Sequence, residues 1–566
     1  MNRAEMVSRL SGRTEPWDMV VIGGGATGVG VAVDAASRGH DVVLLEQSDF
    51  GKGTSSRSTK LVHGGVRYLQ QGNIALVMEA LKERGILRRN APHLVHDLRF
   101  IVPNYDWWEA PFYGIGLKVY DMLAGRYGFG QSRVLSKEQT IELLPTIRTD
   151  GLRGGVQYFD GQFDDARLLI NLVTTAAREG ATLVNYMTVS GLLKDHDGFT
   201  NGVVARDGET GDVLEVPASV VINATGPFTD AMLRIDDPQA PAMIAPSQGV
   251  HIVLGRSFLP GDSAIMVPHT TDGRVMFAIP WHDRALIGTT DTPIERSSLE
   301  LEPVPRPEEI DFILETAGDY LAARPARSDI LSVFAGIRPL VRGGDGSTTA
   351  SLSREHVIHV SSSGLVTICG GKWTTYRHMA EECVDHAATV ARLDDRPCVT
   401  KDLPIHGAHL DAGSFGELAV YGSDAPAIED LSRADPSLGE RLHEALPIRG
   451  AEVVWAARME MARTVDDVLA RRTRSLLLDA APSLLAGAKL ERKPVLGDGE
   501  FQWGYVLTTP NRPQGTPCSD LVAVMLSHID GRATVAEIVG KLSGGTSEDV
   551  AARIEGTVLS ALQILY

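Results

Sequence analysis

The sequence predicts a mixed α/β architecture: a Rossmann-like dinucleotide-binding domain built from discontinuous segments, an antiparallel β-sheet domain, a helical C-terminal cap and a small α-rich tail module. Three observations predict it. A glycine-rich turn joins a short apolar strand to a helix near the start of the chain, successive β-signals crowd the region from about 240 to 330, and the pattern turns helical from about 405.

The first element is the apolar run Asp18 to Ile22, read as a strand, followed by Gly-rich sequence and an Ala- and Val-rich helix reaching Arg38. Val42 to Glu46 supplies the next parallel strand, so residues 18 to 46 form one βαβ module. The sheet resumes after an insertion, with strands at Thr182 to Tyr186 and Ser219 to Asn223 and an amphipathic helix from Arg167 to Gly180. Between about 240 and 330 the segments HIVLG, AIMVP, RVMFAIP and RALIGTT read as consecutive strands of a second, substrate-facing sheet. From 405 to 490 the reading is a helical cap, including Ala451 to Ala462 and a capping box at Thr464 with Asp467. The charged, Gly-containing stretch 487 to 499 reads as a linker, and Ser519 to Ile529, Thr534 to Leu542 and Ser547 to Leu565 read as three helices of the tail.

Length and composition set the frame. The chain has 566 residues, enough for three or four units at roughly 150 residues each. A formal charge of −18 argues against a duplex nucleic-acid partner, which needs clustered Lys and Arg in excess. Cys369, Cys383, Cys398 and Cys518 form no CxxC pair and have no histidine at metal-ligand spacing, which supports neither a zinc site nor a disulfide framework and fits a reducing cytosol. The opening segment MNRAEMVSRLSGRTEPW has no apolar signal region, and no stretch reaches the roughly 18 to 20 apolar residues of a membrane span. A membrane contact of this chain is therefore expected to lie on the surface of the bilayer.

The glycines Gly23, Gly25 and Gly28 sit directly after a strand and open a helix, and Glu46 follows Gly28 by 18 residues. Glycine there lets the backbone approach a pyrophosphate, the helix N-terminus offers unpaired N–H groups, and Glu46 accepts from ribose hydroxyls while disfavouring a 2′-phosphate. By themselves these residues suit NAD and FAD equally.

Further motifs narrow the choice. VIGGGATGVG, TSSRSTKLVHGGVRYLQ, DDARL, NATGP, GTTDT, AGIRPL, GGKWTTYR and DVLARRTR occur in this order over roughly residues 17 to 480. The set resembles the FAD-dependent glycerol-3-phosphate dehydrogenase family, relatives of D-amino acid oxidase. The resemblance implies FAD as cofactor, with Thr54, Ser55, Ser56, Lys60, Gly226, Gly370 and Gly371 as further cofactor contacts. It implies oxidation of sn-glycerol 3-phosphate to dihydroxyacetone phosphate by hydride transfer to flavin N5. It also implies a substrate shell of His63, Arg67, Tyr68, Arg338, Lys372 and Thr375, with Arg67 and Lys372 on the phosphate and Arg338 near the reacting carbon. His63 or His251 is expected to be the base that takes the C2 hydroxyl proton. Asp164 and Asp165 precede a helix and read as N-cap residues, not as acid–base groups.

The resemblance divides the chain into an FAD-dependent region 17–404, with substrate-domain insertions at about 75–160 and 240–335, a helical cap 405–490 and a tail 495–566 of unknown role. The tail departs from the family pattern and suits docking, dimerisation or a structural cap equally. The implied setting is cytoplasmic and peripheral on the inner face of the cell membrane, as a homodimer that passes electrons to the quinone pool. An oxygen-reducing glycerol-3-phosphate oxidase is the nearest alternative. An FAD amine or amino-acid oxidase is more distant, because its substrates need no dianion pocket. Trp108, Phe112, Ile115, Val119 and Leu123 fall at helical spacing and suit a monotopic contact, but the segment lacks the basic face of an interfacial helix, which favours packing on the core. Arg471, Arg472 and Arg474 read as solvated charges complementing a helix end.

Overall fold

Strand Trp17–Ile22 is buried along nearly its whole length, as the centre of a parallel sheet covered on both faces requires. It pairs in parallel with Val42–Leu45 on one side and Val213–Asn223 on the other, and the parallel order extends outward to Thr182–Val184 and Val366–Gly370. The structure, a computed structural model, describes residues 1–65, 73–268, 270, 273–342, 355–443 and 446–478, and the backbone alone of 489–497, 500–509 and 512–518. Among these residues the first sheet has eight strands, completed by antiparallel Met187–Lys194, Thr200–Asp207 and His356–Val360. Helix Ala26–Ser37 packs between Asp165–Arg178 and Tyr376–Ala391. Strands drawn from residues 17 to 370 thus build one doubly wound sheet, as the discontinuous Rossmann reading expects.

The second sheet has ten strands among the described residues. Ile244–Gly255, Ser263–Val267, Met276–Trp281 and Arg284–Gly288 match the four expected β-signals. Strands Val95–Asn104, Arg133–Ser136 and Gly154–Phe163 of the earlier insertion join the same sheet, through one parallel pairing of Ser263–Val267 with Val95–Asn104 in an otherwise antiparallel array. The long strand Ile330–Val341 runs beside Ile244–Gly255. The C-terminal ends of the parallel strands face this second sheet, and the gap between them is the functional cavity.

Asp164 caps helix Asp165–Arg178 by accepting the Arg167 N–H at 3.0 Å, as expected. The Thr464 capping box forms as well, with Asp467 N–H donating to the Thr464 hydroxyl at 3.2 Å and Thr464 N–H to the Asp467 carboxylate at 2.9 Å.

Three expectations are overturned. Arg471, Arg472 and Arg474 are not solvated. All three are buried, on carboxylates that include Asp49, Asp467 and Asp164, because each guanidinium finds a partner far away in sequence. Helix Glu109–Ala124 does not turn its aromatic stripe inward. Tyr113, Leu117, Tyr120 and Ala124 take the core, leaving Ile115 69% and Trp107 77% exposed, with Trp108, Phe112 and Val119 also at the surface. Stretch 487–499 is not a linker, since Lys489–Gly497 pairs with Glu500–Thr509, which pairs in turn with Arg512–Cys518. The period-two alternation of Phe501, Trp503, Tyr505 and Leu507 is the strand signal that charge and glycine content obscured. The three helices expected beyond 518 lie outside the described residues. No helix among the described residues is long and apolar enough to cross a membrane.

Candidate functional site

A cavity of about 470 Å³ runs from the glycine-rich turn to the face of the second sheet. At its first end Gly23 adopts φ 108°, a conformation that other residues avoid, and a Cβ at Gly28 would stand 2.0 Å from the Gly23 carbonyl oxygen. Only glycine lets helix Ala26–Ser37 start this close to the strand, and Gly25 and Ala26 at its N-terminus line the cavity. Glu46, at the end of the neighbouring strand, accepts the N–H groups of Gly24 at 2.6 Å and Ser48 at 2.9 Å, which fixes its carboxylate at the cavity edge.

The segment after Glu46 closes the wall. The Ser55 hydroxyl accepts the Ala26 N–H at 2.9 Å, and the Thr54 hydroxyl donates to the Ile337 carbonyl, tying this wall to the second sheet. Gly226, Gly370 and Gly371 line the opposite side, all with positive φ. A backbone cradle at a helix N-terminus, with a carboxylate at the adjoining strand end, fits the adenosine and pyrophosphate of a dinucleotide.

At the other end the cavity is lined by His63, His251, Phe277, Arg338 and Lys372. Arg338 projects from Ile330–Val341 over Gly249, where a Cβ would stand 2.4 Å from its Nη2. Its Nη2 donates to the Thr289 hydroxyl at 3.0 Å, and its Nη1 lies 3.5 Å from the Asp291 carboxylate. Asp291 is also paired with Arg274 at 2.9 Å and takes the Ser247 hydroxyl. His251 stacks on Phe334 at 5.0 Å between ring centroids, and its Nε2 meets the Thr59 hydroxyl at 2.9 Å. Burial, then the Arg338 and Lys60 charges, hold the His251 imidazole neutral, well below its usual range. His63 follows strand Leu61–Val62, and its backbone N–H donates to the Thr374 hydroxyl at 3.3 Å.

Four expected contacts lie away from the cavity wall, among them Gly28, which serves the close approach of helix and strand. The Lys60 ammonium is fully buried against Asp165 at 2.7 Å and the Ser56 carbonyl, where the carboxylate compensates its charge. Ser56 turns its hydroxyl to the Gly51 carbonyl. Thr375 is buried with its hydroxyl on the Lys372 carbonyl, and its neighbour Thr374 takes the lining position. Arg67 and Tyr68 lie outside the described residues. The sequence reading missed Thr59, Arg274, Phe277 and Asp291. Asp291 alone had a signal, a carboxylate flanked by hydroxyls in the GTTDT motif.

A dinucleotide cradle opens into a chamber bearing arginine, lysine and neutral histidine, and residues 18–377 match the family described as FAD dependent oxidoreductase, which makes the chain an FAD-dependent oxidoreductase. Residues 398–490 match the C-terminal domain of alpha-glycerophosphate oxidase. The chain is 42% identical over 508 residues to a probable mitochondrial glycerol-3-phosphate dehydrogenase of Caenorhabditis elegans, spanning 84% of this chain and 70% of that protein. It is 42% identical over 500 residues to the mitochondrial glycerol-3-phosphate dehydrogenase of Homo sapiens, spanning 82% and 68%. Its fold is similar to that of the glycerol-3-phosphate dehydrogenase from Bacillus halodurans, solved with FAD, at a TM-score of 0.69 and 26% identity over 100% of this chain and 97% of that one. The chain belongs to the FAD-dependent glycerol-3-phosphate dehydrogenase family, and FAD is its cofactor.

Proposed function

We propose that this enzyme oxidises sn-glycerol 3-phosphate to dihydroxyacetone phosphate beside Arg338 and passes the electrons to a quinone-type acceptor at the inner face of the cell membrane. The observation that carries this reading is the continuity of the cavity, which joins the dinucleotide cradle to a chamber containing Arg338 and Lys372. The names of the relatives support the substrate.

When bound, FAD supplies the hydride acceptor at its N5 position. Gly23, Gly25 and Glu46 would hold its dinucleotide end, with Gly28 keeping the helix close to the strand, and Thr54, Ser55, Gly226, Gly370 and Gly371 would bound it along the cavity wall. Lys372, together with Arg67, neutralises the substrate phosphate dianion. The C2 hydrogen leaves with its electron pair while the C2 hydroxyl gives up a proton, which yields the ketone. Arg338 stabilises the negative charge that develops on the C2 oxygen. His63 takes the proton. His251 is the poorer base, because a proton on its ring would put a buried cation beside the Arg338 charge and its Nε2 is engaged by Thr59.

The outward face of helix Glu109–Ala124 supports the peripheral reading. Trp107, Trp108, Phe112, Ile115, Val119 and Met122 present apolar and aromatic surface to solvent, the residue types that settle at a lipid interface. Turnover with a soluble quinone analogue, compared with turnover in oxygen alone, tests the proposal. Dihydroxyacetone phosphate formed with quinone reduction and without peroxide is the expected result. Peroxide equal to product would move the acceptor to oxygen, and no product with either acceptor would overturn the substrate.

A further inference from the structure

Asp49 lies in the segment that follows the strand Val42–Leu45, three positions after Glu46 and two before Gly51, both of which line the cavity. Its side chain is fully buried and faces away from the cavity, toward the C-terminal helical region. Arg472 grips both carboxylate oxygens, at 2.7 and 2.9 Å, and Arg471 Nε adds a third contact at 2.5 Å. This is bidentate pairing reinforced by a second guanidinium, across 423 and 422 residues of sequence.

The two arginines are themselves held in place. Arg471 Nη2 bridges Asp466 and Asp467, each at 2.8 Å, and Arg472 Nη2 donates to the Glu460 carbonyl at 2.8 Å. Further ties join the same two parts of the chain. Tyr186 N–H donates to the Ser48 carbonyl at 2.9 Å while its hydroxyl donates to Asp467 at 2.7 Å, and Lys52 lies 3.7 Å from Asp466. On its inner side the segment is anchored by Gly51 N–H to the Gly24 carbonyl at 3.0 Å and by Ser55 to Ala26. Glu46 to Ser55 is therefore clamped between the glycine-rich turn and the C-terminal region. Neither arginine reaches the cavity, so their pairing with Asp49 acts on it only through this segment.

We infer that Arg471 and Arg472 are positioning residues for the cofactor: through Asp49 the C-terminal helical region holds the Glu46 to Ser55 wall in its FAD-binding shape, so FAD affinity depends on residues more than 400 positions away in sequence. A carboxylate this deeply buried has no water to replace a lost guanidinium, so weakening the clasp displaces Asp49 and the wall with it.

The test is FAD titration of apoprotein, followed by flavin fluorescence, with thermal unfolding of the same apoprotein in parallel. Arg472→Gln is expected to raise the FAD dissociation constant at least about ten-fold, equivalent to about 1.4 kcal/mol. Arg472→Lys, which keeps the charge and loses the fork, is expected to fall between Arg472→Gln and wild type. Tyr186→Phe removes one outer tie while the buried Asp467 keeps its Arg471 partner at 2.8 Å, and it keeps the test readable should Arg472→Gln not fold. It is expected to weaken FAD binding a few-fold. A lowered melting temperature with an unchanged FAD dissociation constant in Arg472→Lys and Tyr186→Phe would overturn the inference, since a merely structural clasp behaves that way.

Discussion

Arg338 and Asp291 are coupled through a shared carboxylate: Nη1 of Arg338 lies 3.5 Å from Asp291 Oδ1, and the same carboxylate pairs with Arg274 at 2.9 Å. The Asp291 side chain is only 5% exposed, so these two arginines and the Ser247 hydroxyl set where its charge sits, and it in turn sets the angle at which Arg338 meets the chamber. Arg338→Ala should lower kcat/KM by about 100-fold or more, the scale of a lost donor to a developing oxyanion. Arg338→Lys should recover little, because one ammonium cannot reach both Thr289 and Asp291. Steady-state kinetics at constant flavin content check this, and wild-type values for Arg338→Ala would remove it from the mechanism.

The two histidines are separable by their pH profiles. His63→Asn should remove the acid limb of the kcat profile and most of the turnover. His251→Asn should leave that limb in place and change the rate less, because His251 is already neutral across the working range. The reverse pattern would exchange their roles.

His93 gives the protein a pH-dependent stability. Burial first, and then the Arg167 charge, push its imidazole down to about 3. In the unfolded chain it titrates near about 6.5. Between these values the unfolded state binds a proton that the folded state refuses, so stability falls as the pH drops from about 6.5 toward 3. The contribution is at most about 1.4 kcal/mol per pH unit. His93→Gln should flatten the dependence of melting temperature on pH in that window by one proton's share. An unchanged slope would refute the assignment.

The exposed face of helix Glu109–Ala124 should govern membrane recovery and not chemistry. Ile115→Asp with Met122→Asp places charge on two of its most exposed apolar positions, Ile115 at 69% and Met122 at 81%. The double variant should no longer sediment with lipid vesicles while keeping its turnover with a soluble dye acceptor. Vesicle binding equal to wild type would assign the face to some other surface contact.

The parts legible in the sequence are those fixed by local sterics. Gly23, Gly25 and Gly28 between a strand and a helix leave the chain few other shapes, and Glu46 at the next strand end follows from the same module. What was not legible depends on partners remote in sequence. Arg471 and Arg472 look like surface charges until Asp49 is beside them. Helix Glu109–Ala124 has an apolar side in both directions, with Tyr113 and Leu117 inward and Phe112 and Ile115 outward, so periodicity alone does not choose which is buried. Thr374 and Thr375 differ by one step around a turn, a phase that the GGKWTTYR motif does not encode.

The measurement that bears most directly on the whole account is anaerobic bleaching of the flavin's visible absorbance on addition of sn-glycerol 3-phosphate, with glycerol, glycine and D-alanine as controls. The account expects bleaching by the phosphate ester alone, because the chamber carries Arg338 and Lys372 for a dianion. Bleaching by an amino acid, or none by the ester, would contradict it.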